Sequence, residues 1–265
     1  MAHPNRLLNA RILALGGTSG IGFGIASFAL SQGARVIISG SKQPKVDDKV
    51  RELQSLYPNL PTESISGYAC DLSDIENMEK NVKELLDKAT DNGTKNLDHI
   101  THTAGDMFAL PTLANLTVSS VLAGFNVRFL TGAILAKHIA TGNYMDFSAK
   151  SSLTLTSGTN SHKPAPGWSI GSPWGTVVEG LVRGLAVDLK PIRVNCVAPG
   201  AIDTPMLQSF LRKASEEDAK RFRGEGNLVG DYGSVVDCAE AFGWSMRDRN
   251  VTGVTIRTDG GRILV

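Results

Sequence analysis

The sequence predicts an α/β fold: a single doubly wound domain with about seven parallel strands and helices on both faces of the sheet. Three observations carry this expectation. Strand-like and helix-like segments alternate along the whole chain. The first apolar run passes through a glycine cluster directly into a helical pattern. No repeat, low-complexity tract or linker divides the 265 residues, which suffice for one sizeable core.

The strands and helices follow in order. Ile12 to Leu15 is a short apolar run, read as a buried strand. It opens into Gly16-Gly17-Thr18-Ser19-Gly20-Ile21-Gly22, and a helix rich in Ala, Ile and Phe follows over about Ile21 to Gln32. Gly16, Gly20 and Gly22 have the spacing G-x-x-x-G-x-G, which differs from the dinucleotide fingerprint G-x-G-x-x-G but shares its mechanics. Glycine allows the tight turn and close backbone approach, and the helix N-terminus offers free N–H groups and positive dipole to a pyrophosphate. An ordinary Gly-rich turn is the competing reading, and the strand-loop-helix context favours the phosphate site.

Arg35 to Ser39, built on Val36-Ile37-Ile38, is the second strand. Ile65 to Ala69 is the third and ends at Cys70-Asp71-Leu72; His99 to Thr103 is the fourth and ends at Ala104-Gly105. Leu153 to Thr156 is the fifth, Ile192 to Val197 the sixth and Val254 to Ile256 the seventh. Helical patterns fill the gaps over about Lys45 to Leu56, Ser73 to Thr90, Thr117 to Ala140, Thr176 to Leu189 and Val235 to Arg247. In such sheets ligands bind outside the carboxyl ends of the strands. That rule gathers Gly16 to Gly22, Ser39 to Lys42, Asp71-Leu72, His102 to Asp106, Ser157-Gly158 and Pro199 to Thr204 on one rim.

Composition bounds the partners. A net charge of +1 gives no basic surface for nucleic acid. No apolar run reaches membrane-spanning length, and Met1 to Ala10 lacks the apolar centre of a signal peptide. Cys70, Cys196 and Cys238 are odd in number, far apart and set in apolar segments, so they read as buried thiols of a reducing compartment, with no metal site. A cytoplasmic protein that binds a small molecule at the strand-end rim is the expectation.

Taken together, these strand ends resemble the short-chain dehydrogenase/reductase superfamily over essentially the whole chain. Gly16-x-x-x-Gly20-Ile21-Gly22 is similar to its nucleotide-binding motif TGxxxGIG, with Leu15 in place of the threonine. Asp71 stands where family members contact the adenine; Ala104-Gly105 matches the NAG element, with His102 and Thr103 replacing its asparagines. Asn126 falls at the family's active-site asparagine. Val194-Asn195-x-Val197-x-Pro199-Gly200-x-Ile202-x-Thr204-Pro205 is close to the segment that holds the nicotinamide carboxamide. The resemblance implies a Rossmann domain, a nicotinamide cofactor and a dimer or tetramer. Which nicotinamide follows from the second strand: NAD-binding proteins place an acid about 20 residues past the glycine turn. Here Ser39-Gly40-Ser41-Lys42-Gln43-Pro44-Lys45 has none, and its hydroxyls and lysines suit a 2′-phosphate, so NADP(H) is expected.

The catalytic centre departs from the family. With Val178 to Leu185 as anchor, Gly171 takes the place of its tyrosine and Gly175 that of its lysine. No tyrosine lies between Tyr144 and Tyr232, so a shift of register does not restore the pair. Ser157 and Asn126 remain. Reducing a ketone requires a proton on the forming alkoxide, and this site lacks the usual donor. Asp106 and Arg128 are the further candidates, each with an ordinary surface or ion-pair alternative; His102 and His162 are secondary candidates as acids. Trp168 and Trp174 flank a Pro- and Gly-rich loop and could wall an aromatic substrate, core packing being the default for tryptophan.

A narrower resemblance joins the lost pair to Ala104-Gly105-Asp106, Asn126-Val127-Arg128 and the Pro-x-Pro-Gly-Trp loop. These are similar to the fungal short-chain reductase homologues of malbrancheamide- and paraherquamide-type alkaloid pathways. Those enzymes reduce a prenylated, dipeptide-derived indole iminium with NADPH and steer an intramolecular Diels–Alder closure. Asp106 and Arg128 match positions they use, while Ala165 stands where their loop aspartate is expected. The expectation is an NADPH-dependent reductase of an iminium. A carbonyl reductase with a non-standard acid and an NADP(H)-binding pseudoenzyme are the rivals.

Overall fold

The computed structural model describes residues 2–105, 110–212, 216–222 and 226–265. Seven parallel strands form one sheet: β1 (Arg11–Leu15), β2 (Arg35–Gly40), β3 (Ile65–Ala69), β4 (His99–His102), β5 (Ser152–Thr156), β6 (Arg193–Pro199) and β7 (Thr255–Thr258). Their order is β3-β2-β1-β4-β5-β6-β7. The direction of winding therefore reverses between β1 and β4, which run side by side with Leu15 opposite His102. In sheets of this kind a ligand binds above that point.

Successive strand residues point to opposite faces, and the core divides accordingly. On one face Leu13, Leu15, Ile100, Leu153, Leu155 and Val194 pack against α3 (Met78–Thr90), α5 (Thr131–Thr141) and α6 (Gly171–Asp188). On the other Ile12, Val36, Ile38 and Val197 pack against α1 (Gly20–Ser31), α2 (Gln43–Leu56) and α9 (Val235–Arg247). Cys70, Cys196 and Cys238 are free and buried within these layers, and burial pushes each thiol up to about 12. Among the described residues no helix is long and apolar enough to cross a membrane, and no His/Cys/Asp/Glu group could hold a metal ion.

Helix α3 starts at Met78, after the expected Ser73, and two further elements differ from the sequence pattern. The helix expected from Thr117 to Ala140 is broken into α4 (Val118–Ala123), a π turn (Asn126–Leu130) and α5. Gly124 packs against the indole of Trp174 where α4 ends, and Leu130 N–H bonds back to Phe125 O at 3.1 Å, five residues away. Second, α6 begins at Gly171, ahead of the expected Thr176. Pro173 is harmless there, because a first-turn N–H has no helical partner to lose. Two short helices, α7 (Pro205–Leu211) and α8 (Glu216–Phe222), lie between β6 and α9 without a marked periodicity in the sequence.

Candidate functional site

The β1–α1 turn is held against the end of β4. Gly16 and Gly17 N–H both donate to Ser39 O at 3.0 Å, and Thr103 Oγ1 donates to Leu15 O at 3.0 Å. Gly16 has φ +80°, and a Cβ there would meet Ala104 N at 2.6 Å. A Cβ on Gly22 would run into Gly16 O. Gly20 has φ +51° and faces the Thr204 methyl at 3.1 Å. The backbone contacts at Gly16 and Gly22 admit only glycine, and the positive φ and close methyl favour it at Gly20. Ser19 is the N-cap of α1 yet makes no capping bond, so the first-turn N–H groups, with Ile21 beside them, stay open toward the crevice. Turn and helix end together fit a dinucleotide pyrophosphate.

Around this cradle lie the other expected positions. Thr18 is buried against Gly40 at the end of β2, while Ser41 and Lys42 are exposed and Ser39 is buried. Asp71 accepts from Ser73 Oγ at 2.6 Å and Ser73 N at 2.9 Å, which holds its carboxyl below the usual range; Lys42 lowers it further. Leu72 is buried beside it. Ala104 and Gly105 follow β4. Past β6, Gly200 N donates to Thr258 O at 3.0 Å, Ile202 bridges to Gly233, and Thr204 caps α7 by accepting from Leu207 N at 3.2 Å. Pro199 O accepts from Thr159 Oγ1 at 3.3 Å, which ties β6 to the loop after β5.

At the centre, Asn126 and Arg128 both sit on the π turn. Arg128 Nη1 donates to Ser157 O at 3.0 Å and Thr156 O at 3.4 Å. A Cβ on Gly105 would lie 2.6 Å from Arg128 Nε, so a larger residue at 105 would push the guanidinium out of its present position. Asp106 lies outside the described residues.

The two positions that align with the family's tyrosine and lysine are crowded. A Cβ on Gly171 would meet Leu110 Cδ2 at 2.8 Å and Trp168 Cε3 at 3.0 Å. A Cβ on Gly175 would collide with Ser161 Oγ, a buried hydroxyl without a hydrogen-bond partner among the described residues. A side chain at Gly175 would displace the Ser161 hydroxyl, and one at Gly171 would push the end of Leu110 aside and press on the Trp168 ring.

The two candidate histidines differ in kind. His102 is 1% exposed, its Nε2 lies 3.1 Å from Val127 O, and burial lowers it to about 4. A carbonyl only accepts, so Nε2 carries the proton and the ring is a neutral imidazole. That removes His102 as an acid. His162, on the loop after β5, keeps a third of its side chain exposed and places Nε2 3.1 Å from Glu179 Oε1. The same oxygen accepts from Ser157 Oγ at 2.9 Å. Sequence reasoning passed over Glu179 as a site residue, although it stands four residues after Gly175 on the same helical face.

The two tryptophans part company. Trp174 is 8% exposed and donates Nε1–H to Val121 O at 2.8 Å; its ring covers Gly124. It locks α4 to α6, which is the packing role weighed against a substrate wall. Trp168 is half-buried and meets Phe210 of α7 edge-on, with centroids 6.5 Å apart. Ala165 O accepts from Trp168 N at 3.0 Å around Pro166 and Gly167, whose φ of +82° suits the third position of a type II turn. Ala165 is itself half-buried on that loop.

Comparison with known proteins agrees with this architecture. A family model described as an SDR-like Rossmann domain matches residues 3–265. The short-chain dehydrogenase/reductase malC of Malbranchea aurantiaca is 37% identical over 260 residues, 97% of this chain and 96% of that protein. The short-chain dehydrogenase/reductase fsr5 of Gibberella fujikuroi is 32% identical over 264 residues, 99% of this chain and 97% of that protein. The solved structure of the MalC reductase/Diels-Alderase from M. aurantiaca superposes with a TM-score of 0.90 and covers 99% of this chain and 100% of that one. A short-chain dehydrogenase from Burkholderia cenocepacia in complex with NADP, 25% identical, gives 0.80 with 97% and 99% coverage. Glycine cradle, strand order and full-length similarity agree, and the chain belongs to the short-chain dehydrogenase/reductase family as an oxidoreductase built on a nicotinamide-binding Rossmann domain.

Proposed function

We propose that the protein is an NADPH-dependent reductase of a cationic C=N bond, acting on the iminium of a prenylated indole alkaloid precursor and steering an intramolecular Diels–Alder closure. The observation that carries this is the crowding at Gly171 and Gly175, which align with the family's tyrosine and lysine: Leu110, Trp168 and Ser161 lie where a Cβ at either position would stand. Hydride addition to C=N⁺ neutralises a cation and consumes no proton, whereas ketone reduction needs a donor. The name reductase/Diels-Alderase of the relative MalC supports the same reading.

In this reading Gly16, Thr18, Ser19, Gly20, Ile21 and Gly22 hold the pyrophosphate, and Asp71 and Leu72 border the adenine. Ser39, Ser41 and Lys42 take the 2′-phosphate. Ala104, Gly105, Pro199, Gly200, Ile202 and Thr204 frame the nicotinamide, which when bound supplies the hydride. Asp106 attracts the iminium, Arg128 orients an amide carbonyl of the substrate, Asn126 and Ser157 line the cleft, and the loop of Ala165 and Trp168 folds over it. The protein works in the cytoplasm as a dimer or tetramer.

The test compares NADPH oxidation with N-methyl-3,4-dihydroisoquinolinium, a permanent iminium, and with a panel of ketones. Iminium turnover should exceed ketone turnover by orders of magnitude, and Asp106→Asn should lower the former by roughly 10²-fold while leaving NADPH affinity and folding nearly unchanged. Equal rates on both substrates, or no effect of Asp106→Asn, would sink the cation-holding mechanism.

A further inference from the structure

Glu179 projects from α6 one turn beyond the position where the family's lysine would stand, and it is 5% exposed. Among the described residues it pairs with no lysine or arginine. Its Oε1 accepts two hydrogen bonds, from Ser157 Oγ at 2.9 Å and from His162 Nε2 at 3.1 Å. Ser157 is 4% exposed and directly follows β5. His162 closes the short 3-10 turn Thr159–Ser161 and donates its own N–H to Thr159 O at 2.9 Å. Its ring is a third exposed, and Nδ1 has no partner among the described residues. A buried carboxylate is costly, and an apolar side chain could fill the same space without that cost. What the carboxylate provides is direction: it fixes the imidazole by one nitrogen and leaves the other for exchange at the carboxyl rim of the sheet.

A permanent iminium needs no proton to accept hydride, but an iminium has to be made. The reaction that supplies one is the condensation of an amine with an aldehyde, whose slow step is loss of water from the carbinolamine, and that step requires an acid. We propose that His162 is the proton donor that converts an amino aldehyde's carbinolamine into the cyclic iminium within this site, with Glu179 and Ser157 as positioning residues. The inference rests on the iminium-reductase reading for its substrate class. The proton leaves Nδ1 for the carbinolamine hydroxyl, the C–O bond breaks, and water departs with the bonding pair. The nitrogen lone pair forms C=N⁺. Nε2–H stays on Glu179, and Nδ1 regains a proton from water. No oxidant or reductant enters this step, so it proceeds without the nicotinamide.

The probe is 4-(methylamino)butanal, jumped from alkaline solution to neutral pH with no cofactor present, with formation of N-methylpyrrolinium followed by stopped-flow absorbance. Wild type should accelerate iminium formation by roughly 10²-fold, in the range of general acid catalysis. His162→Gln should abolish the acceleration, and added imidazole should restore part of it in His162→Gly. Glu179→Gln, nearly isosteric, should lower the rate at least tenfold and move the His162 Nε2–H proton resonance of the cofactor-free protein. In a second arm, NADPH reduction of N-methyl-3,4-dihydroisoquinolinium should suffer at least tenfold less from His162→Gln than the dehydration does. Equal losses in both arms would mean that His162 only pins the loop to α6 and would overturn the proposal, as would dehydration unchanged in His162→Gln. Failure of wild type to reduce the preformed iminium would overturn the reductase reading alone, since the cofactor-free arm stands without it.

Discussion

A single methylene decides how the cofactor preference can be probed at the end of β2. Gly40 is the obvious place for the acid that NAD-binding proteins carry, but a Cβ there would meet Thr18 Cγ2 at 2.6 Å and Oγ1 at 2.8 Å. An aspartate at Gly40 would displace Thr18, which belongs to the phosphate turn, and would confuse charge with packing. Ser41 is exposed and free of that conflict. Two unit charges 4 Å apart interact by about 1 kcal/mol in water and about 4 kcal/mol at an effective dielectric constant of 20. Ser41→Asp should therefore weaken NADPH by roughly 10- to 10³-fold and leave NADH bound as tightly or tighter. Fluorescence titration of both cofactors checks this; an unchanged ratio would remove the basis for NADP(H).

At the scale of elements, α6 and β4 each make a prediction. The loss of the proton relay in α6 is built into its neighbours, so rebuilding the pair by Gly171→Tyr with Gly175→Lys should not restore ketone reduction. Crowding Leu110, Trp168 and Ser161 should cost about 1–3 kcal/mol per site, a fall in Tm of about 2–12 °C by calorimetry. Adding Ser161→Gly should recover part of that loss, because the Ser161 hydroxyl is what blocks position 175. In β4, burial lowers His99 to about 3, with Arg193 and Arg249 adding to it, and lowers His102 to about 4, with Arg128 adding and the Val127 carbonyl opposing. Their ordinary value is 6.5. Above that pH neither the folded nor the unfolded chain binds these protons. As pH falls below it, the unfolded chain takes up protons that the fold refuses, and stability declines until about pH 3 to 4. Each histidine should account for about 2 kcal/mol of loss by pH 5. His102→Asn should shrink the difference between urea midpoints at pH 7 and pH 5 accordingly; an unchanged difference would show that His102 is protonated in the fold.

On the scale of the whole molecule, the strand order reverses between β1 and β4, and a ligand bound above that point would bridge both halves of the sheet. A ligand that binds only the folded state stabilises it by about 2.7 kcal/mol at a hundred times its Kd. For a domain of this size that corresponds to a rise of about 5–11 °C in Tm. NADPH should produce such a rise in differential scanning fluorimetry, and NADH at equal concentration a smaller one.

What the sequence by itself determined is whatever rests on local pattern. Short segments between turn signals marked all seven strands, most plainly the apolar runs of β1 and β2 at the buried centre of the sheet, and Ile65–Ala69 to the residue. The glycines at 16, 20 and 22 marked the turn, because a Cβ at 16 or 22 would strike backbone and the backbone at 20 has a positive φ. The absence of tyrosine and lysine near Gly171 was equally plain from the residues alone. Tertiary structure decided the rest, because it depends on who fills a space. Trp174 read as a cleft residue until its ring was found against Gly124, a partner fifty positions away in the chain. The long helix broke at Asn126 as well. His102 and His162 looked alike in sequence; one is sealed against a carbonyl and neutral, the other exposed and held by a carboxylate. Glu179 itself, an unremarked residue of a helical run, became a site residue only when folding laid Ser157 and His162 on the same oxygen.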